Sequence, residues 1–139
     1  MPKIIKTEGL KILLELNEIQ RNAVIKSLTT NNYLLIKGLP GTGKTQTLVA
    51  LIRLFYLLNQ KILITSHTHS AVDNLLKRLK NYDIKFLRIG SVARIDSTLI
   101  DYSDEMLIQK CKTPEELQAA YKEFVSCIFI KFLLDIFVL

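Results

Sequence analysis

At 139 residues, with 49% apolar and 23% charged side chains, the chain has the material for one folded domain, which argues against a disordered polypeptide. A net charge of +6 favours polyanionic partners, because each phosphate neutralised by Lys or Arg releases condensed counterions, but charge alone selects none of them. Cys111 and Cys127 are too few for a disulfide framework and too far apart for a CxxC pair, and nothing beside His67 and His69 completes a zinc shell.

The opening MPKIIKTEGLKILLEL has neither the apolar core nor the cleavage site of a signal peptide, so residues 1–15 are taken as a flank of an intracellular protein. Asn17 and Gln20 stand at capping-box spacing, and Ile19, Ala23 and Leu28 share a helical face, which predicts a helix from Asn17 to Leu28. The run Tyr33 to Lys37 (YLLIK) reads as a buried strand ending at Gly38, followed by a glycine-rich turn and a helix through Leu48 to Leu58. Lys61 to Thr65 (KILIT) is expected as a second buried strand. Ser70 then caps a helix reaching Lys80, with Asp73 at the capping-box position. Phe86 to Ile89 (FLRI) supplies a third strand, and residues 91–112 show no assignable period. Thr113, Pro114 and Glu116 open a last helix to about Phe124 as N-cap, first helical residue and N3 acid.

The closing CIFIKFLLDIFVL carries Lys131 and Asp135 and falls short of the roughly 20 apolar residues of a membrane span, so it is expected as a buried strand or helix, with no membrane partner. Strands alternating with helices at these intervals imply βαβ crossovers, and therefore an α/β fold with a parallel sheet flanked by helices.

The chemistry centres on Gly38-Leu-Pro-Gly-Thr-Gly-Lys-Thr45, a full match to GxxxxGK[ST] between an expected strand and an expected helix. Gly38, Gly41 and Gly43 let backbone N–H groups converge on phosphates, and the following helix points its positive dipole end at the same anion. Lys44 is expected to reach the β- and γ-phosphates of a nucleotide and Thr45 to offer its hydroxyl to Mg²⁺; Pro40 and Thr42 shape the loop. The plain alternative is a glycine-rich turn with no ligand. The loop alone does not separate kinases, GTPases and motors.

Leu16 to Ala23, just before the loop, resembles the Q motif of superfamily 1 helicases. Thr65-Ser-His-Thr-His-Ser-Ala-Val-Asp-Asn74, just after it, is similar to their motif Ia. The run THSAVDNLL resembles the branch that holds the eukaryotic replication helicase/nuclease and the RNA helicase of nonsense-mediated decay, and is nearer the first. The resemblance covers residues 16–94 and implies a P-loop NTPase with a partial RecA-like motor domain at 16–126, preceded by the flank and followed by an apolar tail at 127–139. It implies ATP and Mg²⁺ as ligands, Lys44 and Thr45 as catalytic groups, and single-stranded nucleic acid as track, DNA rather than RNA, in the nucleus rather than the cytoplasm.

Under that resemblance the Gln20 amide pairs with the adenine edge, unless helix capping consumes it. Ser66, Thr68, Ser70 and Asn74 hydrogen-bond phosphate and sugar without reading bases. Arg21 and most of Lys77, Arg78, Lys80, Lys85, Arg88 and Arg94 read as solvated charges. The family's Walker B acids, its third motif and its arginine finger are not identifiable. Asp104-Glu105 reads as surface, Asp135 has no following glutamate, and the chain is expected to stop short of a complete hydrolytic site. A small-molecule P-loop kinase and a non-catalytic nucleotide-binding remnant are the competing readings.

Overall fold

The computed structural model describes residues 3–125 and 128–130, with side chains over 6–122. The chain divides into two compact units, Met1–Leu58 and Asn59–Asp135. Helices and parallel strands are both present, which places it in the α/β class.

The first unit holds three helices, α1 (Lys3–Leu14), α2 (Glu18–Thr29) and α3 (Lys44–Leu57). The sequence marks α1 only as a flank, yet it supplies Ile12 to a core completed by Leu16, Val24, Ala50 and Leu54. Each Ile, Leu or Val side chain removed from water contributes about 1.5–3 kcal/mol, which is what fixes a short helix that propensity alone leaves marginal. α2 begins as the spacing predicts: the Asn17 side chain accepts from the Gln20 N–H at 2.9 Å, and Gln20 Oε1 accepts from the Asn17 N–H at 3.2 Å. Arg21 departs from its expected role as a solvated charge. Its guanidinium donates to the Leu13 and Leu16 carbonyls at 3.1 and 3.0 Å, bracing the turn that follows α1. Glu15 in the same turn accepts two hydrogen bonds from Arg53 of α3, at 2.6 and 3.2 Å.

Residues 33–37, expected as a buried strand, are a correction. They take no ladder partner among the described residues, and Tyr33 and Leu35 are 88% and 64% exposed. An apolar run becomes a strand only when a neighbouring chain accepts and donates its backbone hydrogen bonds.

The second unit contains β1 (Ile62–Ile64), α4 (His69–Leu79), β2 (Phe86–Arg88), α5 (Asp104–Lys110), α6 (Pro114–Val125) and β3 (Ile128–Ile130). β3 pairs in parallel with both other strands, giving the order β1-β3-β2, with Ile128 opposite Ile62 and Phe86; β1 is a strand as expected but not a buried one, Leu63 being 60% exposed. Of the apolar tail, residues 128–130 thus form a strand; the rest lies outside the described residues. Val72, Leu75, Leu76 and Leu79 form the inner stripe of α4 at i, i+3, i+4, i+7, and Ile84, Phe86, Leu87, Ile95 and Leu99 are buried in the same unit.

The unplaced segment 91–112 consists of two 3₁₀ turns, Val92–Arg94 and Ser97–Tyr102, and the short α5. The 3₁₀ turns carry no 3.6-residue period and the seven-residue α5 is too short to show one, so the segment leaves no signal in the apolar pattern. α6 opens as predicted, with the Thr113 hydroxyl accepting from the Glu116 N–H at 3.2 Å. Among the described residues no helix is long and apolar enough to cross a membrane.

Candidate functional site

The loop before α3 is bent by glycine. Gly41 and Gly43 both have φ of 79°, a left-handed conformation that costs other L-residues about 1–2 kcal/mol. Gly43 is also the N-cap of α3, so the loop ends where the free amides of a fourteen-residue helix begin. A turn closes the bend, with the Thr42 N–H and hydroxyl both donating to the Leu39 carbonyl, at 3.3 and 2.8 Å. The Lys44 ammonium folds over it, donating to the Gly38 and Leu39 carbonyls at 2.7 and 2.9 Å.

The glycine spacing is sterically exacting at two places. A Cβ on Gly38 would stand 2.7 Å from Lys44 Cγ, and one on Gly43 would stand 2.5 Å from Gln20 Nε2. At Gly41 a Cβ would meet nothing within 4 Å, so the outer side of the bend is open and Pro40 and Thr42 lie exposed beside it. Thr45 sits in the first turn of α3, half-buried, and its hydroxyl takes no protein partner among the described residues. A bent backbone, an ammonium and a helix amino end converging on one spot suit a polyphosphate, and a spare hydroxyl beside them suits a hard cation that prefers oxygen.

Gln20 joins this loop to α2. Besides completing the capping box, its Nε2 donates to the Thr42 carbonyl at 3.1 Å. Capping and loop contact therefore coexist, and they leave the amide one N–H and one lone pair for a further partner. A cavity of about 270 Å³ opens here, lined by Gln20 and Ala23 of α2, by Gly38 and Lys44, and by the apolar Leu48 and Leu51 of α3.

In the second unit the residues after β1 lead into α4, and the cap differs from expectation. Thr68, in extended backbone, accepts the Ala71 N–H at 3.3 Å, so Thr68 is the N-cap while Ser70 lies within the first turn. Ser66 is half-buried; Thr68, Ser70 and Asn74 are exposed, and Ser70, Asn74 and Arg78 share one outer stripe four residues apart.

Asp73 is not a capping residue. It is 4% exposed and accepts from Arg88 Nε at 2.8 Å with one oxygen and from the Asp96 N–H at 3.0 Å with the other. Arg88 in turn is no solvated charge: at 2% exposure it is among the most buried side chains of the unit. It also donates to the Ile89 carbonyl at 2.6 Å and to His69 Nδ1 at 3.1 Å. A readable signal lies in FLRI, where an arginine inside a strand expected to be buried demands a buried acid.

Lys77 pairs with Asp96 at 2.6 Å, and Lys80 reaches the Thr98 carbonyl while lying 5.2 Å above the Tyr102 ring, itself stacked on Phe86. The Lys77 hydrogen bond, followed by those from the Thr98 hydroxyl and N–H, lowers the Asp96 carboxyl to about 2. Arg78 and Arg94 are exposed, as read from the sequence. Asp104 and Glu105 follow no strand: they open α5 and accept the Gly90 and Val92 amides, each at 3.3 Å. No group of three or more His, Cys, Asp or Glu side chains that could hold a metal occurs among the described residues.

A glycine-bent loop at the amino end of a helix, in a chain of the α/β class, marks a phosphate-loop protein, and the AAA domain family model matches residues 15–128: the chain belongs to that family. More narrowly, it is 41% identical over 108 residues to the DNA replication ATP-dependent helicase/nuclease of Xenopus laevis, covering 78% of this chain and 10% of that protein. It is 43% identical over 94 residues to the protein of the same description from Homo sapiens, covering 68% and 9%. It is 34% identical over 114 residues to the DNA polymerase alpha-associated DNA helicase A of Schizosaccharomyces pombe, covering 82% and 17%. These relatives place the chain with the superfamily 1 helicases, in the replication helicase/nuclease branch. The chain spans about a tenth of the length of the first two relatives.

Proposed function

We propose that this chain is the ATP-binding segment of an ATP-dependent DNA helicase motor that moves on single strands during replication or repair, in the nucleus. The observation that carries this reading is one cavity lined by Gln20, Gly38, Thr42 and Lys44, in a loop bent by the left-handed Gly41 and Gly43 at the α3 amino end. Relatives described as ATP-dependent DNA helicases support it, and a kinase has no use for Gln20 or for the Ser66 to Asn74 stretch.

In this reading the amides of Gly41 to Lys44 and the Lys44 ammonium hold the phosphate tail, with Lys44 exchanging its two carbonyl partners for phosphate oxygens. The Thr45 hydroxyl would hold Mg²⁺, which would neutralise charge on the phosphates. The spare N–H and lone pair of Gln20 match the adenine N6 and N7 edge and favour ATP over GTP. Residues 16–126 make up a partial RecA-like domain. Ser66, Thr68, Ser70 and Asn74 hold phosphate and sugar of the strand. Among the described residues no aspartate-glutamate pair closes a strand, so for this chain by itself we infer binding without efficient turnover.

The test is titration with a fluorescent ATP analogue. The wild-type chain should bind it with Mg²⁺ present, GTP should compete less well than ATP, and Lys44→Ala should lower affinity by about a hundredfold, the size of two lost charge-assisted hydrogen bonds. Equal affinity in wild type and variant would remove the phosphate-loop assignment. In a longer chain carrying the remaining motor parts, single-stranded DNA should stimulate ATPase activity more than RNA does; a small acceptor stimulating it instead would revive the kinase reading.

A further inference from the structure

The second unit contains a buried polar group that the nucleotide chemistry does not use. Arg88 projects from β2 and makes three directed contacts at once: Asp73 on the second turn of α4, the Ile89 carbonyl at the end of its own strand, and His69 Nδ1 on the first turn of α4. A guanidinium has only donors, so His69 Nδ1 must be the acceptor, which requires a neutral ring carrying its proton on Nε2. Asp73 is itself tied by its second oxygen to the Asp96 amide, and Asp96 to Lys77 one turn further along α4. The charged groups in and around the cluster are therefore Arg88 of β2, Asp73 and Lys77 of α4, Asp96 ahead of the second 3₁₀ turn, and Asp104 of α5 on the Gly90 amide.

His69 lies between Thr68 and Ser70, both exposed, and Asn74 follows Asp73 directly. We infer that Arg88 is a positioning residue for single-strand binding. Through neutral His69 and Asp73 it fixes the first two turns of α4, so that Thr68, Ser70 and Asn74 face a nucleic-acid backbone in one register. This rests on the nucleic-acid reading above. Protonation of His69 puts an N–H and a positive charge where the guanidinium donates, breaks that contact and frees the first turn. The sign is diagnostic. A new cation placed beside phosphates would ordinarily strengthen binding, whereas loss of positioning weakens it.

The experiment measures affinity for a fluorescent oligothymidylate by anisotropy at fixed salt, from about pH 7.5 to about pH 5.5. Wild type is compared with His69→Asn, whose amide oxygen stands where Nδ1 accepts but cannot titrate, and with Arg88→Lys, which keeps the charge but not the three-way fork. His69→Asn should match wild type at the upper pH and retain its affinity at the lower one, where wild type loses about fivefold relative to it, the size of one lost hydrogen bond. Arg88→Lys should bind more weakly at both pH values and show no acid loss of its own. Superimposed profiles of wild type and His69→Asn, or wild type gaining affinity relative to the variant on acidification, would overturn the inference while the nucleic-acid reading stands. No binding by wild type at the upper pH would remove that reading and the inference with it. Should Arg88→Lys fail to fold by circular dichroism, the two His69 profiles still decide.

Discussion

The two units are organised by different physics. In Met1–Leu58 the candidate site is a matter of backbone: two glycines at φ 79°, amides at a helix start, one lysine folded over carbonyls. In Asn59–Asp135 the equivalent role falls to side chains, with Arg88 and Asp73 at 2% and 4% exposure holding α4 to β2. A backbone site is written in residue type and spacing, whereas a side-chain network is written in who meets whom after folding.

The sharpest way to break this contrast is Asp73→Ala, which leaves Arg88 buried with neither its charge partner nor the brace on the Asp96 amide. Removing one member of a buried pair costs about 3–5 kcal/mol, so urea unfolding should register a loss of that order in the second unit. A loss under about 1 kcal/mol would mean that water reaches the pair and that the unit is held by its apolar core alone.

Gly43→Ala tests the first unit on its own terms. A left-handed alanine costs about 1–2 kcal/mol, and its Cβ also expels the Gln20 amide, so stability and affinity for an ATP analogue should both fall. Asn17→Ala is milder, at about 1 kcal/mol for the lost cap, and should weaken nucleotide binding only as far as Gln20 loosens with it. Hydrogen exchange at the start of α2 separates the two effects.

The smallest effect is a matter of pH. The Asp96 carboxyl, lowered from 3.8 to about 2 in the folded chain chiefly by Lys77, binds its proton more weakly folded than unfolded. Its contribution is therefore full above pH 3.8 and is lost as pH falls through about 2. Asp96→Asn should unfold at lower urea than wild type at about pH 6, and the gap should narrow as the pH falls toward 2.

The loop from Gly38 to Thr45 and the capping box at Asn17 and Gln20 are legible in the amino-acid sequence, because each follows from local residue types at fixed spacing. α1 is not, since its helix is fixed by Ile12 meeting Val24 and Leu54 rather than by caps of its own. Thr68 and Ser70 are equally good caps by residue type; the extended backbone at Thr68 decides between them. Arg21 and Arg88 mislead for one reason: a charge looks solvated until carbonyls or an acid are seen to surround it. The stretch 33–37 misleads in the opposite direction, because an apolar run names a strand without supplying its neighbour.

That last segment bears on how the molecule behaves in a tube. Tyr33 and Leu35 present apolar side chains at the surface on a stretch without a ladder partner among the described residues, where separate molecules can pair. Self-association should therefore rise with concentration and with salt, as the repulsion between copies carrying +6 each is screened. Dilute, low-salt handling keeps the chain apart, and turbidity growing from this stretch would compete with every measurement made at high protein load.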